Sequence, residues 1–401
     1  MEILKLVVVF LGIIFFIKLK KPLFVSILAG ALLSIVLYKI PIIKSGELTL
    51  KACTSKETIA LVLAFYTITY IQRMMEKRGH LLLAERSLNN IFNSRRINAM
   101  LAPFIIGLLP SAGAVLIAAP IVQNASDGYL EVEEQTFVTS YFRHISEAFL
   151  PTYSSILLAL ELSGVDMTMF VLGMLPMVVM LFVLGYVFYV RKIPKSDGVS
   201  KSTNKKQDVK NLIISLWPIA ITIIIILTLK IPPHMAVIPV IIVSIFVNKF
   251  TLSELLPMIK SAFETKLIIN TVMIMVFKEL LTYTGIIGKL PGYFEALPIP
   301  PTAVFALIFF FGTLVAGSQA IIALALPLAF ASIPTGGLAL MILLMCITYI
   351  AMQISPTHIC LAIVTEAFNV SLADLVKKTF PVVVTFSVIT VIYCYVIFLL
   401  Q

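Results

Sequence analysis

Four short interruptions in an otherwise apolar sequence carry the residue types that could do chemistry. They are Pro110-Ser111-Ala112-Gly113, Pro151-Thr152-Tyr153-Ser154-Ser155, Ala316-Gly317-Ser318-Gln319 and Ser355-Pro356-Thr357-His358. Each joins proline or glycine, which interrupt helices, to small hydroxyl or amide side chains. In hydrocarbon, non-helical backbone persists only where protein or a polar cavity satisfies its N–H and C=O groups. A helix that restarts after a break points free N–H groups and the positive end of its dipole at whatever lies there, which suits an anion. A helix that ends at a break offers carbonyl oxygens, which suit Na⁺. Single prolines in membrane helices are often only kinks. Four interruptions at matching places in two halves point instead to a binding site near the bilayer centre.

Charged residues close to the breaks extend the candidate list. Arg143 precedes Pro151 by eight residues, about 12 Å along a helix, so it falls within the hydrocarbon. It reads either as an anion-attracting side chain or as the i, i+4 partner of Glu147. His144 and His358 titrate near neutrality when unperturbed, and His358 stands inside a break. Asn270 reads as a helix-contact residue. No other chemistry fits the spacing. There is no His-Glu-x-x-His, no phosphate-binding Gly-Lys-Ser/Thr loop and no Gly-x-Ser-x-Gly elbow. No catalytic residue, metal centre or cofactor is expected, apart from Na⁺ at the hairpin tips and helix breaks.

The elements that must position these residues follow from composition. Of 401 residues, 60% are hydrophobic and 12% charged. Mean hydropathy is +1.06. That excludes an ordinary soluble enzyme and a disordered chain. The net charge of +10 sits mostly in short loops and reads as topology anchoring rather than nucleic-acid binding. Cys53, Cys346, Cys360 and Cys394 show no CxxC spacing and read as reduced core residues. The first apolar stretch, 4–17, reads as a retained helix, since no small-residue cleavage site follows it.

Apolar segments are expected near 3–17, 23–38, 59–75, 97–122, 135–162 and 167–190, and again near 212–229, 235–247, 267–283, 302–331, 337–365 and 376–399. Shifting the first half by 205 residues aligns the stretch from Phe104 to Pro176 with the second half without a gap. Phe104 falls on Phe309, Gly107 on Gly312, Pro151-Thr152 on Pro356-Thr357, Glu161 on Glu366 and Pro176 on Pro381. The chain therefore reads as two repeats. Repeat 1 spans 1–190, with three scaffold helices, a hairpin at 97–126, a broken helix at 135–164 and a helix at 167–190. A basic cytoplasmic linker covers 191–210. Repeat 2 spans 211–401, with a hairpin at 302–331, a broken helix at 337–369 and a helix at 376–399. Five crossings and one re-entrant hairpin per half make the second repeat inverted. One side then holds 21 Lys/Arg and the other seven. The richer side should be cytoplasmic, with both termini outside. The fold class is an all-α polytopic membrane protein with about ten transmembrane helices and two re-entrant helical hairpins. Inverted repeats with broken helices point to a secondary transporter.

The run from Gly107 to Pro120, Tyr141-Phe-Arg-His144 with Glu147, Pro151 and Tyr153, and Ser355-Pro-Thr-His-Ile-Cys360 resemble an uncharacterised prokaryotic integral membrane family, domain of unknown function 401, in the ion transporter superfamily. The resemblance spans essentially the whole chain. It implies a homodimer with scaffold and transport domains, an elevator-type movement and a location in the cytoplasmic membrane. It names no substrate, and the Ser-Asn-Thr tips of the sodium-dicarboxylate branch are absent here. The expected function is secondary active transport of a small polar solute, an organic anion such as a carboxylate, coupled to Na⁺ or H⁺. A cation/proton antiporter is the alternative, followed by an intramembrane enzyme or a passive channel. The expected partners are a small-molecule solute, the lipid bilayer and a second copy of the chain, with no nucleic acid.

Overall fold

The computed structural model describes residues 2–91, 94–108, 114–194, 204–295 and 298–400. Among these the chain is all helical. The first half runs α1 (Glu2–Lys18), α2 (Leu23–Leu37), α3 (Ile42–Thr54), α4 (Lys56–Lys77), α5 (His80–Ile91), α6 (Arg95–Ile106), α7 (Ala114–Ser126), α8 (Val132–His144), α9 (Ser154–Ser163) and α10 (Met167–Phe188). The second runs α11 (Lys205–Leu229), α12 (Pro233–Val247), α13 (Leu252–Ser261), α14 (Thr265–Tyr283), α15 (Leu290–Glu295), α16 (Pro301–Ala316), α17 (Ser318–Ser332), α18 (Gly337–Met352), α19 (Ile359–Phe368) and α20 (Leu372–Leu400).

Local chemistry sets many of these boundaries. Ser55 caps α4 and Asp166 caps α10 through side-chain oxygens that accept first-turn N–H groups. Glu131 and Glu134 form a capping box on α8, so that helix begins at Val132, ahead of the expected residue 135. Asn204 caps α11 at Gln207. The helix therefore starts inside the expected 191–210 linker, whose residues 195–203 lie outside the described set. Pro356 lacks an N–H and its ring would collide with the carbonyl of residue 352, where α18 ends. Pro151 does the same toward residue 147, and α8 gives way to a 3₁₀ turn over Ile145–Ala148.

The structure adds helices that the apolar spans did not announce. α3 and α13 are short and amphipathic, and α3 leaves Ile42 86% exposed. Their polar residues break the apolar run, so a search for spans passes over them. The expected three scaffold helices ahead of the first hairpin become five helices, α1 to α5. Among the described residues four helices, α4, α10, α11 and α20, are long and apolar enough to cross a membrane alone. Counting α14 and the helical segment Ile287–Tyr293 after it, bent by 62°, as one span makes a fifth. The other apolar helices among the described residues are shorter, 10–17 residues each; for α7, α9 and α16 to α19 the reason is that hairpins and breaks divide the apolar segments. The chain is thus a multi-pass membrane protein by length and composition.

Ion pairs tie the ends of these helices together. Lys378 bridges Glu131 and Glu134, and Lys192 also reaches Glu134. At the end of α4 the Arg78 guanidinium grips Glu254 with two parallel hydrogen bonds of 2.7 and 2.9 Å and lies over the Phe250 ring. This fork, with backbone N–H donation from Thr251, holds the Glu254 carboxyl at about 2 instead of 4.5. A depressed carboxyl supplies stability above its unfolded value, and that stability disappears as pH falls through the folded value. The melting-temperature advantage of wild type over Glu254→Gln should therefore be level down to about pH 4.5 and shrink from there toward pH 2. Melting curves in detergent at low salt check this, and an advantage still undiminished at pH 2.5 would rule the pair out as its source.

Candidate functional site

Three of the four breaks fall on described residues, and the fold brings them together. Gly317 alone joins α16 to α17, with φ 83° and ψ 162°, a region that side chains beyond glycine scarcely enter. The tip it creates meets the 151–155 break, where Gln319 Nε2 donates to Ser154 Oγ at 2.6 Å. The 355–358 break closes on the same hairpin. Ser355 Oγ donates to the Leu314 carbonyl at 3.2 Å and lies 2.8 Å from Thr357 Oγ1.

A cavity of about 390 Å³ opens where these segments meet. Glu147, Tyr153, Ser154, Ser155, Gly317, Ser318, Gln319, Ser355, Thr357 and His358 form its walls, with Leu23, Asn270, Thr313, Ala316, Ala320 and Met352. Three helices begin there. α9 starts at Ser154 behind Tyr153, α17 at Ser318 behind Gly317, and α19 at Ile359 behind His358. None of the three N-caps makes a side-chain cap hydrogen bond. First-turn N–H groups without caps, and the dipoles behind them, favour an anion or a polar oxygen. Thr313 is 1% exposed, and its hydroxyl has no hydrogen-bond partner among the described residues; Asn270 Oδ1 is likewise buried without one there. A polar solute or water in the cavity would satisfy both.

Some expected residues stand elsewhere. Pro151 is buried and forms no part of this wall. Thr152 faces a smaller cavity of about 80 Å³ with Thr69, Gln72 and Glu264. Pro356 faces a third cavity of about 470 Å³, which follows α19 to the turn before α20 and shares Ser355 and His358 with the main one. Pro110, Ser111, Ala112 and Gly113 lie outside the described residues. Asn270 and Thr313 enter the wall although the sequence did not single them out as ligands. Their signal was slight: a lone amide in an apolar span and a threonine four residues before Gly317.

The charged residues form a layer beside the cavity. Arg143 is 1% exposed and pairs with Glu147 at 2.5 Å, so the i, i+4 reading describes its geometry. Arg143 also approaches Cys360 Sγ at 3.5 Å. His144 Nδ1 lies 2.6 Å from the Ser140 carbonyl, and its Nε2 lies 2.9 Å from His358 Nε2. In sequence His144 had only Glu147 near it; folding adds His358 and Cys360.

This layer also holds the start of the first hairpin. Ser146 Oγ donates to the Gly107 carbonyl at 2.6 Å, and the Tyr153 hydroxyl donates to the same oxygen. A Cβ on Gly107 would stand 2.1 Å from the Arg143 carbonyl oxygen, which belongs to backbone and cannot swing aside. Gly107→Ala should therefore push α6 off α8, at a cost of about 1–3 kcal/mol. A fall of several degrees in detergent melting temperature is the expected readout, and an unchanged value would mean the backbones part freely.

The family described as "Protein of unknown function (DUF401)" matches residues 3–400. No curated protein matches the chain. Among solved structures the chain is similar to the YdaH transporter of Alcanivorax borkumensis, at 10% identity and a TM-score of 0.45, over 87% of this chain and 86% of that one. A likeness this distant carries no argument about function.

Proposed function

We propose that this chain, which belongs to the DUF401 family across nearly its whole length, is a secondary active transporter of a small organic anion. One observation carries the reading: three helix N-termini without side-chain caps converge on one cavity walled by hydroxyl and amide groups. Each such terminus is equivalent to roughly half a positive charge, and α9 belongs to one half of the chain while α17 and α19 belong to the other. A carboxylate fits this field and this size of cavity. Coupling to Na⁺ or H⁺, ten crossings with two inverted repeats, an elevator movement and a homodimer in the cytoplasmic membrane complete the proposal. The ion pairs support the two-sided arrangement, because each long-range pair joins segments that the proposed topology puts on one side.

The test is thermal stabilisation of the purified protein by a panel of carboxylates, amino acids and sugars, each in Na⁺ and in choline at two pH values. A selective ligand raises apparent stability by mass action. A shift with one carboxylate, followed by gradient-dependent flux of that solute in proteoliposomes, supports the reading. A cation/proton antiporter is the second reading, because Glu147 brings a carboxylate to the same wall. A shift with Na⁺ or pH alone, and none with any anion, favours it.

A further inference from the structure

We propose that His144, His358 and Cys360 form a binding site for a transition-metal ion of the Zn²⁺ class. Their ligand atoms all lie within 4.8 Å of one another, and the residues come from α8, the 355–358 break and α19. Two imidazole nitrogens and one sulfur are a donor set for Zn²⁺ or Co²⁺. Na⁺ and Mg²⁺, which take oxygen ligands, do not suit it.

The surroundings prepare these ligands. A carbonyl oxygen can only accept, so the Nδ1 of His144 facing Ser140 at 2.6 Å carries the proton and Nε2 keeps its lone pair. An outer hydrogen bond of this kind fixes the ring of a metal-bound histidine. His358 Nε2 at 2.9 Å now donates to that lone pair. On binding, its proton sits on Nδ1 instead, which frees Nε2. Two nitrogens on one tetrahedral ion stand about 3.3 Å apart at bond lengths of roughly 2.0–2.1 Å, so the rings need part only by a few tenths of an ångström. The Arg143 guanidinium donates to the Cys360 sulfur at 3.5 Å, and Glu147 offsets its charge. Binding exchanges one proton: the Cys360 S–H gives up H⁺ as the sulfur–metal bond forms. The path in is the cavity, since His358 is part of its wall. The fourth coordination position is left to water or to an oxygen of a solute.

The test is titration of the full-length protein in detergent with Co²⁺, with no solute present, so the result does not depend on the transport reading. Expected are one ion per chain, visible bands of a tetrahedral site and a near-ultraviolet sulfur-to-metal band, all displaced by Zn²⁺. Cys360→Ser, nearly isosteric, should remove the sulfur band and weaken binding at least tenfold, and His358→Asn should weaken it comparably. Cys53→Ser, at the exposed cysteine, should change nothing. No Co²⁺ bands, a sulfur band that survives Cys360→Ser, or one that vanishes with Cys53→Ser would each overturn the site.

Discussion

Gly317→Leu should abolish solute flux in proteoliposomes while leaving a folded, monodisperse protein. The reason is conformational. At φ 83° and ψ 162° a residue with a Cβ pays about 1–3 kcal/mol. Among the described residues nothing stands within 4 Å of where that Cβ would be, so crowding is not the cause, and the chain escapes the strain by rotating the tip. Rotation moves the first turn of α17, separates Gln319 from Ser154 and turns Ser318 away from the cavity. A helix terminus displaced by an ångström no longer complements a bound anion. Gly317→Ala carries the same backbone strain with the smallest side chain and should lose most of the flux. If Gly317→Leu transports at the wild-type rate, the tip of the second hairpin is not part of the binding site.

Glu147→Leu should be among the most damaging single changes to stability, and Arg143→Met should reverse most of the damage when added to it. Arg143 is almost wholly buried, and Glu147 supplies its counter-charge at 2.5 Å. Removing one member of such a pair leaves an uncompensated charge and costs about 3–5 kcal/mol, whereas replacing both by apolar groups of similar size is often close to neutral. Thermal melting of the two single variants and the double variant measures the coupling. Equal destabilisation of Glu147→Leu and the double variant would mean the pair is not what the fold depends on. Flux separates two roles. If stability returns in the double variant but flux does not, the pair also serves the solute. If both return, it is only a brace.

Much of the fold was readable because its signals are local. Pro151 and Pro356 remove backbone donors wherever they stand, and Gly317 permits a turn that other residues resist. α9 and α19 are each ten residues long and begin at 154 and 359, each just after one of those prolines. The amphipathic helices α3 and α13 were not readable from hydropathy, since half of each faces away from the apolar phase. The wall residues Asn270 and Thr313 were missed for a related reason. A single polar group in an apolar span looks the same whether it meets a neighbouring helix or an open cavity.

By itself the sequence determined that this chain is an all-helical membrane protein with its helices broken at defined places. Composition and proline chemistry act residue by residue and need no partner. Only the tertiary structure decided which breaks meet, that three helix N-termini share one cavity, and that His144, separated from His358 by 214 residues, faces it at hydrogen-bond distance. Convergence of that kind depends on how α8, α9, α17 and α19 pack. Packing between apolar helices is set by shape and close contact along whole surfaces, which no short stretch of sequence contains.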